Sequence, residues 1–303
     1  AAVRKGARTD LLAQPYTPPP IQLTRGCPSA PVVGQWVPSL TVDIARYHVP
    51  PNQLKEMLPQ QLLMLELAAN VRDDAQLDPT KTAVVIGMAV DSHVSEYVLR
   101  QVTDKPDTIT PPLTSNGVQG LLPNFAANRI SATLGLTGPS LTVSAHELSG
   151  AVALDTAQQL LTDPAIDAVI VGAVDFGGHC ATLRAVADLG GKTIVEGGGA
   201  FVVRRAGQFA DAIATIDKIT FSRDEAKTSD RVGAANAVFD LLQAIQNGDN
   251  LSTTHSWLSS DATHIKFRAH KPIVFSTSPP HKHPITIVHS GPPLYTEQHY
   301  LGG

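Results

Sequence analysis

Two short runs constrain this chain more than anything else in it. TAVVIGMAV occupies residues 82–90 and AVIVGAV residues 168–174, and neither contains a charged side chain. Both are short and rich in valine, so both are predicted as strands. A strand that is apolar at every position, rather than at alternate ones, must be covered on both faces. Covering a sheet on both faces requires helical layers. The segments between the apolar runs supply helical patterns over residues 52–74, 120–134, 148–161 and 231–247. The chain is therefore predicted as α/β, with buried helices layered against sheets.

The finer pattern fills in this frame. Leu54, Met57, Leu58, Leu62, Leu65 and Ala69 fall at three- and four-residue steps and make one apolar face. Pro59 interrupts that run and predicts a second helix beginning there, because proline is tolerated at a first helical position. Residues 91–101 are predicted helical and 104–117 a Pro/Thr loop. The helix over 120–134 should end near Gly135, and the one over 231–247 at Gly248. The small residues of 148–161 suit a fully buried helix. Glu196 and the glycines 197–199 lead into a strand; with no Lys-Ser/Thr after them they are not a phosphate loop. Residues 213–221, 265–268, 273–276 and 285–288 are further predicted strands. Pro15, Pro18, Pro19, Pro20, Pro28 and Pro31 mark residues 1–35 as an extended arm or linker on the surface. A domain over 36–290 and a tail over 291–303 follow.

Charged residues make up 17% of the chain, against roughly 25% in ordinary soluble domains. That deficit predicts surface covered by a partner. The net charge is −4, with no basic stripe, which excludes nucleic acid as the expected ligand. Cys27 and Cys180 are too few for a disulfide framework and fit a reducing cytoplasm. No apolar run is long enough to span a membrane, and the first residues lack the apolar core of a signal peptide. His281, His283 and His289 lie close in sequence, but without a nearby carboxylate or cysteine they predict a loop rather than a metal site. No cofactor is expected.

Residues 128–154 carry the chemistry. Gly138 and Pro139 make a turn, residues 140–144 a short β-rich run, and the chain then passes sharply into a helix of small residues. Such a passage presents one side chain in a pocket. The side chain at its apex is Glu147. His146 before it is expected to pack or to cap.

Several segments, in order, resemble the β-ketoacyl synthases, the condensing enzymes of fatty acid and polyketide synthesis. LPQQLLMLE (58–66) is similar to the family's "DPQQRLLLE" helix. NRIS (128–131) followed by GPSLTV (138–143) is similar to "NRISY…GPSxTV". DAVIVGAV (167–174) resembles "DxALVGGV", and EGGGA (196–200) resembles "EGAGA". RVGAANAVFDLL (231–242) resembles the helix after the family's second catalytic histidine. The resemblance spans residues 36–290 and implies a thiolase-like αβαβα layered sandwich, truncated or with deletions, and dimeric. The wording of 43–66 is most similar to synthases of the polyunsaturated fatty acid type.

The resemblance also implies which residues should do chemistry. A condensing enzyme holds its acyl chain on a thiol activated at a helix N-terminus. It uses two histidines to drive decarboxylation and stabilise the enolate. The family's "DTACSS" corresponds here to SAHELS (144–149), which puts Glu147 on the cysteine position. The histidine of "GHT" corresponds to Arg231. No "EAHGTGT" lies between Val203 and Arg231, and residues 276–283 correspond to "GFGGTNAH" without its glycines. No catalytic residue for condensation is therefore expected. Glu147 has three open readings: a helix cap, a base or polariser for decarboxylation, or an ion-pair partner of Arg231.

Two functions follow. One is an inactive ketosynthase-like domain with a structural role in a fatty acid or polyketide synthase. It would pair as a homodimer, or as a heterodimer with an active ketosynthase, beside an acyltransferase domain or acyl carrier protein. The resemblance places the dimer seam on Leu141, Thr142, Val143 and Ser144. The alternative is a malonyl- or acyl-carrier-protein decarboxylase or hydrolase using Glu147.

Overall fold

The computed structural model describes residues 2–8, 12–16, 32–37, 39–47, 49–50, 53, 57–73, 77–89, 115, 118–119, 122–176, 186, 188, 193–207, 212–223, 229, 231–256, 261–270 and 284–288. The first part of the chain forms β1 (Ala2–Arg8), β2 (Leu12–Tyr16), β3 (Val32–Trp36), β4 (Ser39–Asp43), the short α1 (Ile44–Tyr47) and α2 (Pro59–Asp73). Next come β5 (Thr82–Met88), α3 (Phe125–Leu134), β6 (Ser140–Val143), α4 (Ser149–Leu160) and β7 (Ala168–Asp175). They are followed by β8 (Thr193–Val195), β9 (Gly197–Arg204), β10 (Ala214–Arg223), β11 (Arg231–Val232) and α5 (Asn236–Asn247). The last strands are β12 (Leu251–His255), β13 (Asp261–Ala269) and β14 (Pro284–Val288).

Eight strands form the main sheet, in the order β12-β13-β10-β1-β9-β7-β5-β6. The β5–β6 and β5–β7 pairs are parallel and the rest antiparallel. The two runs that opened the sequence reading, β5 and β7, are buried at every position. Their side chains alternate between two cores. Val84, Ile86 and Ile170 face α2 and α3, packed with Leu62, Leu65 and Ile130. Ala83, Val85, Val169 and Val171 face α4 and α5, packed with Leu154, Leu241 and Ile245. Two cores on opposite faces of one sheet are what an unbroken apolar strand requires. Smaller sheets, β11-β8-β3-β2 and β14-β4, complete the described residues.

The main sheet cannot be flat. Its edge strands are β6 and β12, and seven inter-strand steps would part them by about 34 Å. Yet Ser256, just past β12, donates a hydrogen bond of 2.9 Å to Glu147, just past β6. Register irregularities occur in β1, against β9 between Val3 and Lys5, and in β10. That strand pairs with β1 only through Thr215 and Ala214, and its register with β13 shifts between Ile216 and Lys218. Beyond this bulge the sheet turns over α5, where Thr254 of β12 donates to Asp240 at 2.7 Å. Bulges bend a strand and increase its twist.

Several sequence expectations are met and several are corrected. α2 begins at Pro59, and α3 and α5 end at Gly135 and Gly248. The surface arm predicted over 1–35 is corrected: Ala2–Arg8 is extended, but it lies inside the main sheet between β9 and β10. The helix predicted from 120 starts at Phe125, after a turn in which Phe125 N–H donates to Leu122 O. The helix predicted from 231 is also shorter, because Arg231–Val232 pairs in parallel with β8. Gly233 then makes the close turn into α5; a Cβ there would meet Val195 O at 2.5 Å. α4 is buried on one face only, through Ala151, Ala153, Leu154 and Ala157, while Gln159 is exposed. The predictions over 91–101 and 273–276, and all but residue 115 of the predicted loop over 104–117, lie outside the described residues.

Candidate functional site

The site is built at the passage from β6 to α4. His146 takes a φ of 49°, a left-handed conformation rarely adopted by a non-glycine residue. Such a residue persists only where its surroundings over-determine it. Here Ser149 does so: its hydroxyl accepts from Ala145 N–H at 2.9 Å and donates to His146 O at 2.6 Å. The expectation that His146 packs is corrected, since it is exposed, and the N-cap of α4 is Leu148 instead. The sharp turn carries the next side chain inward, and Glu147 is only 4% exposed.

The Glu147 carboxylate does not cap α4. The N-cap residue is Leu148, without a side-chain hydrogen bond, and Glu147 instead accepts from Ser256. Nor does Glu147 meet Arg231. The Arg231 guanidinium donates to Asp240 of α5 and forms its ion pair there. Asp240 uses its other oxygen to accept from Thr254. Arg231 is further fixed through its backbone, whose N–H donates to Ser229 Oγ at 2.9 Å. The Arg231 carbonyl accepts from Ser229 Oγ and from Asn236 Nδ2. Of the three open readings of Glu147, neither the helix cap nor the Arg231 ion pair is formed among the described residues.

The polar residues that hold the site were not visible as a motif. Asp175, at the end of β7, accepts from Ala234 N–H at 2.7 Å and ties the sheet to the start of α5. Ala234 O in turn accepts from Gly150 N–H of α4. Ser252, Thr254 and Ser256 are buried on the face of β12 that meets α5. Their period-two spacing was the one signal that a strand of small hydroxyls faces the interior. Residues 276–283, with His281 and His283, and also His289 and Cys180, lie outside the described residues. Among the described residues no group of three metal-ligating side chains could hold an ion, and no helix is long and apolar enough to cross a membrane.

At the position that the sequence resemblance gives to the nucleophile stands a buried carboxylate that accepts from a hydroxyl. At the position that the resemblance gives to the histidine stands an arginine paired with an aspartate. The profile for "Beta-ketoacyl synthase, N-terminal domain" matches residues 34–193, just over half of the chain. The chain belongs to the β-ketoacyl synthase family. It is 30% identical over 156 residues to polyketide synthase GfsA of Streptomyces halstedii, covering 50% of this chain but 2% of that protein. It is 25% identical over 235 residues to orsellinic acid synthase of Beauveria bassiana, covering 70% of this chain and 9% of that protein. Among solved structures it is similar to the PfaC keto synthase–chain length factor, with a TM-score of 0.67 at 16% identity. That match covers 96% of this chain and 44% of the other. The fold is thus thiolase-like, and the chain spans a small part of the curated synthases that it matches.

Among the described residues the edge strand β6 is open. β6 pairs only with β5 among the described residues, and Leu141 on it is 40% exposed. Thr142 Oγ1 donates to Pro123 O, which brings Leu122, also exposed, beside the same edge. Ser144 is exposed and Val143 half-buried.

Proposed function

We propose that this domain does not condense acyl units and serves as the structural partner of an active ketosynthase in a fatty acid or polyketide synthase. The carrying observation is Glu147: a carboxylate stands where the family holds its thiol, buried and bonded to Ser256. A carboxylate is a poor acyl carrier, because the anhydride it would form hydrolyses. The neighbouring polar groups support the reading, since Arg231 is committed to Asp240 and cannot act as the missing histidine. Two solved structures of similar fold, whose titles name a ketosynthase together with a chain length factor, support a partnered role. The open edge at β6, with Leu141 and Leu122 exposed beside it, supplies the surface for the second member. A second copy or an active ketosynthase would extend the sheet through Leu141, Thr142, Val143 and Ser144, covering an edge that otherwise invites aggregation. The similarity over 43–66 favours the polyunsaturated fatty acid type of synthase, working with an acyl carrier protein and an acyltransferase domain in the cytoplasm.

The test has two arms. The purified domain is mixed with a ketosynthase from the same synthase and followed by analytical ultracentrifugation, as wild type and as Leu141→Lys. A complex lost in the variant supports the reading, and no association with that ketosynthase or with itself sinks it. In the second arm malonyl-carrier protein is incubated with the domain. Acetyl-carrier protein formed above the blank, and lost in Glu147→Ala, would establish the decarboxylase alternative instead.

A further inference from the structure

β12 is the edge of the main sheet opposite β6, and among the described residues it pairs only with β13. Its hydrogen bonds fix which backbone groups face outward. Asn250 O accepts from Phe267 N–H at 3.1 Å, and Ser256 N–H donates to Asp261 O at 2.8 Å. Hydrogen-bonded and non-hydrogen-bonded pairs alternate along an antiparallel ladder. β12 is therefore bonded to β13 through its even-numbered positions. The pairs Leu251–Lys266, Thr253–His264 and His255–Ala262 are the non-bonded ones. The N–H and C=O groups of Leu251, Thr253 and His255 accordingly point away from the sheet, and such a row is a template for another strand.

The residues of this edge do nothing to prevent pairing. Sheets ordinarily protect an edge strand with lysines, a proline or a bulge. Here the charges lie on the strands already paired, as Asp217, Lys218 and Arg223 on β10 and Asp261, Lys266 and Arg268 on β13. β12 reads LSTTH, with no Asp, Glu, Lys, Arg or Pro, and its register with β13 is unbroken. Leu251 on it is 55% exposed, the most exposed large apolar side chain among the described residues. The strand is also complementary to itself. Antiparallel pairing about a two-fold axis at Thr253 sets Thr253 against Thr253, and Leu251 against His255 of a second copy. Every outward N–H and C=O of the three residues then finds a partner. Moving the axis by one residue leaves Leu251 or His255 outside the paired strands. Threonine opposite threonine is a favourable cross-strand pair, and no charge meets its like. A charged partner strand finds nothing on LSTTH to match, whereas the same strand inverted matches it at each position.

We propose that β12 pairs with β12 of a second copy of this chain, antiparallel about Thr253, so that two main sheets join into one across an isologous contact. The contact uses neither the elbow nor the β6 edge, so it stands or falls apart from the partner reading above. The test is sedimentation equilibrium of the chain carrying Leu141→Lys, which silences the β6 edge. This chain should still dimerise. Adding Thr253→Lys or Thr253→Glu sets like charges against each other across the axis and should weaken the dimer about tenfold, with unchanged circular dichroism. An equimolar mixture of the two should dimerise again, because lysine then meets glutamate. Only a contact in which position 253 meets itself behaves so, and a misfolded variant could not be rescued by its opposite. A Leu141→Lys chain that stays monomeric overturns the proposal. So does a dimer that Thr253→Lys leaves intact, or a mixture that associates no better than its components. Hydrogen exchange supplies the last arm: protected amides at Leu251, Thr253 and His255 in a monomer assign this edge to a segment of the chain itself and overturn the pairing.

Discussion

Removing the Ser256 hydroxyl is the sharpest test of how the elbow is held. Glu147 is 4% exposed and Ser256 5%, and the hydrogen bond between them is 2.9 Å long. A buried acceptor left without its donor costs about 1–3 kcal/mol. Ser256→Ala should therefore destabilise the domain by about 2 kcal/mol. With a urea m-value of about 2 kcal/mol/M, the midpoint should fall by about 1 M at unchanged m. A double-mutant cycle separates the partners of Glu147. Glu147→Ala and Ser256→Ala should couple by about 1–2 kcal/mol, because each change removes the same hydrogen bond. Glu147→Ala and Arg231→Ala should instead add within about 0.5 kcal/mol. The reverse pattern, strong coupling to Arg231 and none to Ser256, would refute this account of the site and restore a Glu147–Arg231 ion pair.

Other expectations follow from the same contacts. A Cβ on Gly87 would meet Ser149 C at 2.6 Å and Gly150 N at 2.9 Å; Gly87→Ala should cost about 3 kcal/mol and disturb the Ser149 turn, which a melting curve and the His146 amide shift would register. Glu66 is buried and held by the Arg46 guanidinium at 3.1 Å and by the Tyr47 hydroxyl; Arg46→Ala should cost about 3 kcal/mol in urea titration, and a loss below the error would show that Glu66 does not need the arginine. The hydroxyl and N–H of Thr80, with Lys81 adding to them, hold the Asp78 carboxyl below its ordinary value. The folded value being the lower one, its contribution to stability is present above the unfolded value and fades as pH falls through the folded one. Carbon-detected NMR titration should place Asp78 below exposed aspartates, and Thr80→Ala should bring it back up.

The fold was legible because its strongest signals are local. An apolar run such as 82–88 admits few solutions, and the prolines and glycines at 59, 135 and 248 mark helix ends wherever the helix later packs. The position of Glu147 was legible too, since it is counted from the Gly138-Pro139 turn within one strand-turn-helix unit. Less legible was the first strand: residues 2–8 carry no apolar alternation strong enough to claim the middle of a sheet, and pairing with β9 and β10 places them there.

What the sequence determined by itself was the layered α/β frame, the family, and the residue types at the elbow. What only the tertiary structure decided was who meets whom. Glu147 and Ser256 are 109 positions apart, on opposite edges of an eight-stranded sheet whose register shifts in β1 and β10. Contacts within one turn or one strand follow from spacing. Contacts across a bent sheet follow from the summed geometry of every strand between, which no local pattern records.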